Sequence, residues 1–173
     1  MDAHRRDLSG EPAAMRALAH PVRLELIELL KREGPLTATE AGERLGQRPG
    51  NMSWHLQILA RHGFVTEAGE KSGRRRPWRL TAPGLQFETD TPESRALLDA
   101  VVASDVAALM RAGSDAFMSR QTLYLTPDEL TALHERVDEV FAPYLERVTD
   151  PSKRPPGSAP VRTILALLPE ASA

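Results

Sequence analysis

Side chains suited to catalysis or metal binding are few in this sequence of 173 residues and form no recognisable site. The absence of cysteine excludes disulfides, thiol nucleophiles and cysteine-ligated metals. Of the five histidines, His134 lies four residues before Asp138, a spacing that can hold a metal ion but is weak evidence alone. No serine–histidine–aspartate order or phosphate-binding loop is evident. We therefore predict a protein that is not an enzyme and uses no metal or cofactor.

Groups suited to contacting nucleic acid bases are concentrated after a predicted turn at residues 46–49. Met52, Leu56 and Leu59 repeat at helical spacing and predict a helix with one buried stripe. At about 100° per residue, the outward face of this helix carries four candidates for base contact: Asn51, Ser53, Trp54 and Gln57. Amide side chains can form two hydrogen bonds to adenine, and a serine hydroxyl suits a base or a phosphate.

Two neighbouring rings in this helix have different expected roles. Trp54 either meets a thymine methyl group or a sugar, or packs beneath the hairpin that follows, and the sequence leaves both readings open. His55 lies beside the buried stripe, so we predict that it is structural.

Cationic side chains flank the same helix. Arg48 stands where a capping oxygen is usual, and because arginine cannot cap with an oxygen we expect it to contact a phosphate. Arg61 lies on the outward face. Predicted strands at 64–66 and 78–81 form a hairpin around a polar segment, residues 67–77, which we call the wing. The wing carries four cations that suit phosphate contact: Lys71, Arg74, Arg75 and Arg76.

The net charge of −2 conceals an uneven distribution. Residues 1–81 hold 14 Lys and Arg against 10 Asp and Glu, a net +4, whereas residues 82–173 hold 8 against 14, a net −6. A basic half joined to an acidic half suggests that only the first meets a polyanion. With 41% apolar and 27% charged residues, no signal-peptide pattern and no long apolar run, the composition predicts a soluble cytoplasmic protein without a membrane segment.

The order of elements predicts the fold class. Helices are expected at 12–19, 21–33 and 40–45, the last capped by Thr39. Followed by the turn, the helix after it and the hairpin, they give the order of a winged helix-turn-helix, whose second helix enters the major groove of DNA. We predict a tail over 1–12, a winged helix-turn-helix domain over 13–84, and a mainly α fold with a small β content.

Residues 92–173 predict a helical region with a short β pair. One helix runs from Pro92 to about Ser119, and another begins at Thr126 with a capping box to Glu129. Thr149 to Pro160 contains four prolines and predicts a loop or linker. Beyond it, Val161–Leu168 is predicted to be a strand that pairs with Leu123–Leu125.

Several spaced motifs resemble the ArsR family of transcriptional regulators. Ala-Leu-Ala-His-Pro-Val-Arg-Leu at 17–24 is similar to the opening signature of the family, and Pro-Gly-Asn-Met-Ser-Trp-His-Leu at 49–56 resembles its recognition helix. Leu59, Gly63-Phe64-Val65 and the basic wing follow in register, so that the resemblance covers about residues 13 to 81. The long segment from Pro92 onward is similar to a subgroup of larger regulators with an added C-terminal region.

The chain also departs from that family. The usual metal sites, made of cysteines or of histidine–aspartate pairs on the helix after the wing, are absent from the sequence. Arg48 stands where the family often has a small hydroxyl residue.

The resemblance implies a homodimer that reads two half-sites of double-stranded DNA. The helix from Pro92 is the natural partner surface, because its alanines permit close approach and its apolar residues exceed what one small domain covers. The expected interface residues are Leu97, Leu98, Val101, Val102 and Leu109.

Together these features predict a dimeric, sequence-specific DNA-binding regulator, with the recognition helix in the major groove and the wing on the backbone or in the minor groove. Most members of the family that the chain resembles are repressors, so the resemblance implies repression. A small apolar effector would bind the C-terminal region. One alternative is a winged helix that binds another protein. Another is a small-molecule-binding or enzymatic C-terminal region with an appended winged helix. The wing cations favour DNA, because a protein-binding winged helix does not need them.

Overall fold

In the computed structural model, which describes residues 5–68, 76–112 and 122–165, a winged helix-turn-helix is followed by two long helices. The elements, in chain order, are β1 (Arg5–Asp7), α1 (Pro12–Leu18), α2 (Pro21–Glu33), α3 (Ala38–Leu45), α4 (Pro49–Arg61), β2 (Val65–Glu67), β3 (Trp78–Leu80), β4 (Gly84–Gln86), α5 (Pro92–Ala112) and α6 (Pro127–Thr149). Strands β2 and β3 pair antiparallel. Leu36 extends their sheet through two backbone hydrogen bonds with Trp78, of 3.1 and 2.7 Å. The predicted fold class, a mainly α winged helix-turn-helix protein with a small β content, is confirmed.

The turn between α3 and α4 is tight because glycines stand at two critical places. Gly46 ends α3 in the left-handed conformation, with φ of 64°. Gly42 lies so close to the turn that a Cβ there would be 2.6 Å from the carbonyl oxygen of Gln47. The start of α3 differs from the prediction: Thr37, not Thr39, caps it, in a reciprocal capping box with Glu40.

The core is built from aliphatic side chains of α1, α2 and α4, as the low aromatic content requires. The fully buried side chains include Leu26 and Leu29 of α2 and Met52, Leu56 and Leu59 of α4. The predicted buried stripe of α4 is therefore confirmed. Because this stripe anchors α4, the opposite face of the helix is turned away from the core.

From Arg5 onward, the N-terminal segment is not the tail that we predicted over 1–12, and residues 1–4 lie outside the described residues. Strand β1 pairs in parallel with β4, and Leu8 is completely buried. The guanidinium of Arg6 lies 4.3 Å from the centre of the Phe64 ring and donates a hydrogen bond to the carbonyl oxygen of His62, at the end of α4. This segment thus braces the end of α4 and the hairpin.

Arginine side chains fasten the C-terminal region to the helix-turn-helix unit. Arg154 donates to the carbonyl oxygens of Lys31 (3.1 Å) and Arg32 (3.0 Å) at the end of α2, and to that of Arg147 (2.8 Å) near the end of α6. One guanidinium therefore serves the negative ends of two helix dipoles. Arg162 adds ion pairs to Glu28 and Asp105, of 2.7 and 3.3 Å, so that α2, α5 and the last described segment are linked.

We expect Arg154→Ala to lower the free energy of unfolding by about 2 kcal/mol, because it leaves carbonyl groups at two helix ends without their cation. Urea unfolding followed by circular dichroism measures this loss. Lys153→Ala is the matched control, since the ion pair of that neighbour with Glu146 is exposed and its loss should change little. Equal effects of the two substitutions would contradict the role given to Arg154.

The predicted strand pair of the C-terminal region is wrong for the residues that the structure describes. Leu123–Leu125 and residues 161–165 are neither paired nor in strands, and Tyr124 and Val161 are 96% and 83% exposed. Residues 166–168 of the predicted strand lie outside the described residues. The capping box of α6 is confirmed. None of the described helices is both long and apolar enough to cross a membrane.

Candidate nucleic-acid interface

The outward face of α4 carries the polar side chains that the sequence pattern placed there. Asn51, Trp54, Gln57 and Arg61 are exposed, and Ser53 is half-buried. At the start of the helix, Arg48 is exposed and its side chain makes no capping hydrogen bond, while Pro49 occupies the first helical position. Backbone amides at this end are therefore left for an external acceptor.

The amide side chains on this face are oriented by partners one helical turn away. Asn51 Nδ2 donates to Gln47 Oε1 (3.1 Å), and Gln57 Nε2 donates weakly to Ser53 Oγ (3.4 Å). The Gln47 side chain thus holds Asn51. Both hydrogen bonds lie at the exposed surface, so a base edge can replace either at small cost.

Trp54 does not pack beneath the hairpin. Its indole is 54% exposed. It contacts the ring of His55 edge-on, with centroids 4.8 Å apart and an interplanar angle of 71°. His55 is only 3% exposed, as predicted for a structural residue, and its ring lies 5.0 Å from that of His20. The outward reading of Trp54 is the one the structure supports.

A groove of about 500 Å³ separates α3 and α4 from the hairpin. Ser53 and Gln57 line one side, and Glu67, Arg76 and Trp78 line the other. Glu67 and Arg76 face each other as an exposed pair at 3.8 Å. Sequence reasoning missed Glu67 as a site residue, because a carboxylate in a basic hairpin gives no signal until the strand register turns it toward the recognition helix.

Three of the four predicted wing cations, Lys71, Arg74 and Arg75, lie outside the described residues. The fourth, Arg76, has a side chain that is 74% exposed at the edge of the groove. Phosphate contact by all four therefore stays a prediction.

A partly buried basic cluster of His20, Arg23 and His55 joins α4 to the start of α2. Burial lowers the pKa of His55, and nearby His20 and Arg23 lower it further. The pKa of His20 is lowered by its own burial and by Arg23, whose guanidinium is nearly buried and donates to the carbonyl oxygen of Ala17. Both imidazoles are therefore held in the neutral form near pH 7.

We expect the free energy of unfolding to fall as the pH is lowered from about 7.5 to about 5.5. Both histidine pKa values are depressed in the folded state, so the unfolded chain takes up protons first, near its ordinary pKa of about 6.5. Urea unfolding across this pH range measures the effect. His55→Phe should reduce the pH dependence, because it removes one of these two titrating groups. A profile that is the same for the wild type and for His55→Phe would contradict the assignment.

The His134 and Asp138 pair gains no support as a metal site. Asp138 forms an ion pair with Arg5 at 2.6 Å. Among the described residues, no three or more histidine or carboxylate side chains are grouped as metal ligands would be.

The expected dimer surface on α5 needs one correction. Leu97 is completely buried within its own chain, and Val101 is packed partly against the same core. Because these two side chains already pack against the core of their own chain, they are not available to a dimer interface. Leu98, Val102 and Leu109 are 36%, 48% and 37% exposed, and Val106 and Met110 continue the same exposed stripe.

Residues 18–68 match a protein-family model described as a helix-turn-helix domain. The match covers α2, α3, α4 and β2. No curated protein matches the chain. The domain match and the winged-helix arrangement indicate a DNA-binding transcriptional regulator.

Several solved structures are similar to parts of the chain. A "possible transcriptional regulator for arsenical resistance" is 27% identical, over 61% of this chain and 97% of its own, with a TM-score of 0.35. A transcriptional regulator homologue from Pyrococcus horikoshii is 22% identical over 53% and 87%, with a TM-score of 0.36. A MarR family protein from Mycobacterium tuberculosis, solved with salicylic acid, is 20% identical over 75% and 85%, with a TM-score of 0.33. Because these TM-scores are low, the functional assignment depends on the domain match and on the geometry of the chain itself.

Proposed function

We propose that this chain is an ArsR-like transcriptional repressor that binds specific duplex DNA as a homodimer and acts in the cytoplasm. In this proposal, α4 lies in the major groove and the wing contacts the backbone or the minor groove. The observation that carries it is the exposed polar face of α4, whose far side is anchored in the core. This face borders a groove whose other edge holds Arg76.

Base readout falls to the outward side chains of α4. Asn51 and Gln57 each present an amide that can form paired hydrogen bonds with adenine. Ser53 lies between them on the groove side, and Trp54 offers a flat apolar surface to a thymine methyl group or a sugar. Since both amides are held by hydrogen bonds at the exposed surface, they reach the bases without breaking buried structure.

Phosphate contact falls to cations around this face. Arg48 stands at the start of α4, where free backbone amides and the helix dipole also favour an anion. Arg61 stands at its end, and the wing supplies Lys71, Arg74, Arg75 and Arg76. Such contacts set the orientation on the duplex, whereas the α4 side chains choose the sequence.

Dimer formation through α5 is supported by its exposed apolar stripe. Leu98, Val102, Val106 and Leu109 recur at helical spacing on a surface that the described residues leave exposed. An exposed apolar stripe of this kind is typical of an association surface. In the proposal, a second copy covers it, and the two recognition helices address two half-sites.

We expect Val102→Glu to convert the protein from a dimer to a monomer, because a carboxylate buried in an apolar helix contact is strongly unfavourable. Sedimentation velocity or light scattering measures the change in mass. Ala107→Glu is the matched control, since it adds the same charge at an exposed position of α5 away from the stripe. A Val102→Glu dimer as tight as that of the control would contradict the assigned interface.

Selection of bound genomic fragments by the purified protein tests the proposed function. The expected result is a two-fold symmetric sequence with half-sites about one helical turn, roughly 10 base pairs, apart. Fragments enriched without any shared sequence, or no enrichment over a sample without protein, would contradict specific dimeric recognition. Higher expression of the adjoining genes after deletion of the regulator would support repression, and lower expression would contradict it.

A further inference from the structure

A histidine at position 55 is less favourable for the stability of the core than an apolar residue would be. Its ring is almost completely buried, and its Nδ1 atom has no hydrogen-bond partner among the described residues. A buried polar atom without a partner is unfavourable, and leucine would fill a similar volume without that penalty. Stability alone therefore does not account for an imidazole here.

What the ring does contact is the exposed indole of Trp54. The two meet edge-on at 4.8 Å, a geometry that aromatic pairs prefer. Without this support, an indole that is 54% exposed on a helix surface would be free to change rotamer. The contact fixes where the indole stands on the face of α4 that meets DNA.

On its other side, His55 contacts a second ring, which is tilted against it by 49°. His20 lies 5.0 Å from His55 and is itself held, because its Nδ1 accepts a hydrogen bond from the amide of Val22 (3.2 Å) as the cap of α2. A continuous line of contacts therefore runs from the start of α2 through His20 and His55 to Trp54.

Resting on the proposed function, we propose that His55 is a positioning residue for DNA recognition, whose buried neutral ring holds the Trp54 indole in the orientation that contacts the duplex. His55 touches no DNA itself and acts through Trp54. His20 supports it from the opposite side.

The charged groups around His55 explain why the neutral ring is the one that fits. His20 and Arg23, both on the α2 side, are the groups whose charges act on it, and both oppose a proton there. In the part of the chain that the structure describes, α1, α3 and β2 provide no ion pair or hydrogen bond to either imidazole. A protonated His55 would therefore be repelled from its support and would displace Trp54.

Fluorine spectra of the free protein test the contact without DNA. With fluorinated tryptophan incorporated, Trp54 and Trp78 give two resonances, assigned by Trp78→Phe. We expect the Trp54 resonance to shift as the pH is lowered below the ordinary histidine pKa of about 6.5, because burial and the nearby cations lower the pKa of His55. This shift should vanish in His55→Phe, which keeps a ring but cannot take a proton. A Trp54 resonance that ignores pH, or one that shifts equally in His55→Phe, would overturn the proposal.

A double-mutant cycle on DNA affinity tests the positioning role. His55→Leu should weaken specific binding roughly tenfold, about the loss of one good contact, without lowering the melting temperature. His55→Phe should restore most of the affinity. In a Trp54→Ala background, His55→Leu should change affinity no further, because its effect passes through the indole.

If His55→Leu lowered DNA affinity by the same factor with Trp54 present and with Trp54→Ala, the role of His55 would be merely structural, and the proposal would be overturned. Unchanged DNA affinity of His55→Leu would overturn it as well. Wild-type protein that binds no duplex would instead overturn the proposed function, and the role in recognition with it. The two failures are distinguishable because the first requires a wild-type protein that binds.

Discussion

Replacing Arg74, Arg75 and Arg76 together by alanine is expected to weaken binding to every duplex, whatever its sequence, by at least about tenfold. Each phosphate that a cation neutralises contributes about 0.9 to the slope of log affinity against log salt. Loss of three contacts should therefore make that slope shallower by about 2 to 3 for each wing. Fluorescence anisotropy across a salt series measures both quantities.

The matched control removes the same charge elsewhere. Arg95, Arg111 and Arg136 lie on α5 and α6, outside the helix-turn-helix unit, so their joint replacement by alanine should leave the slope nearly unchanged. If both triple variants lost the same affinity, the effect would be one of net charge, and the wing would not be the phosphate-binding element.

Substitutions at two neighbouring positions of α4 should affect different properties, one the stability of the fold and the other the binding of DNA. Leu56→Ala should lower the free energy of unfolding by about 3 to 4 kcal/mol, because Leu56 is fully buried and its removal leaves a cavity. Gln57→Ala should leave stability unchanged, since its amide is exposed, but should cost about 1–3 kcal/mol of binding at one base position. Urea unfolding and binding to a set of single-base operator variants separate the two effects.

This contrast tests how α4 divides its faces. A Gln57→Ala protein that binds all operator variants with unchanged preference would contradict base readout by that residue. A stable Leu56→Ala protein would contradict the packing that anchors the recognition helix, and with it the orientation of the polar face.

The recognition helix could be predicted from sequence because its signals are local and agree. Pro49 starts the helix, Met52, Leu56 and Leu59 repeat at its period, and Gly63 follows its end with a positive φ of 73°. A helix with one fully apolar stripe has only one way to face a core. The exposure of Asn51 and Gln57 followed from that constraint alone.

Long-range contacts could not be predicted in the same way. The pairing of β1 with β4 joins segments about eighty residues apart, and Arg5–Asp7 is too short and too polar to read as a strand. The hydrogen bonds of Arg154 to the ends of α2 and α6 cannot be predicted from sequence either, since any surface arginine has the same local pattern. Thr37 and Thr39 both offer a capping hydroxyl, and only Glu40, three residues after Thr37, distinguishes them.

The C-terminal region shows how an apolar residue is misassigned when its partner is unknown. Leu97 and Leu98 are adjacent on α5, and the sequence pattern predicts both at the dimer surface. Leu97 turned out to face the core of its own chain, while Leu98 is exposed. Residues 161–165 are rich in β-branched and aliphatic side chains, yet they do not pair with 123–125, because strand propensity carries no information about a partner. An effector for this region stays a prediction.

The affinity of the wild-type protein for duplex DNA across a salt series tests the central claim most directly. If α4 and the wing of each of two protomers contact a duplex, binding should be tight at low ionic strength. The logarithm of the affinity should then fall linearly, with a steep slope, against the logarithm of the salt concentration. A purified, folded protein that is indifferent to duplex DNA at low ionic strength would contradict the account.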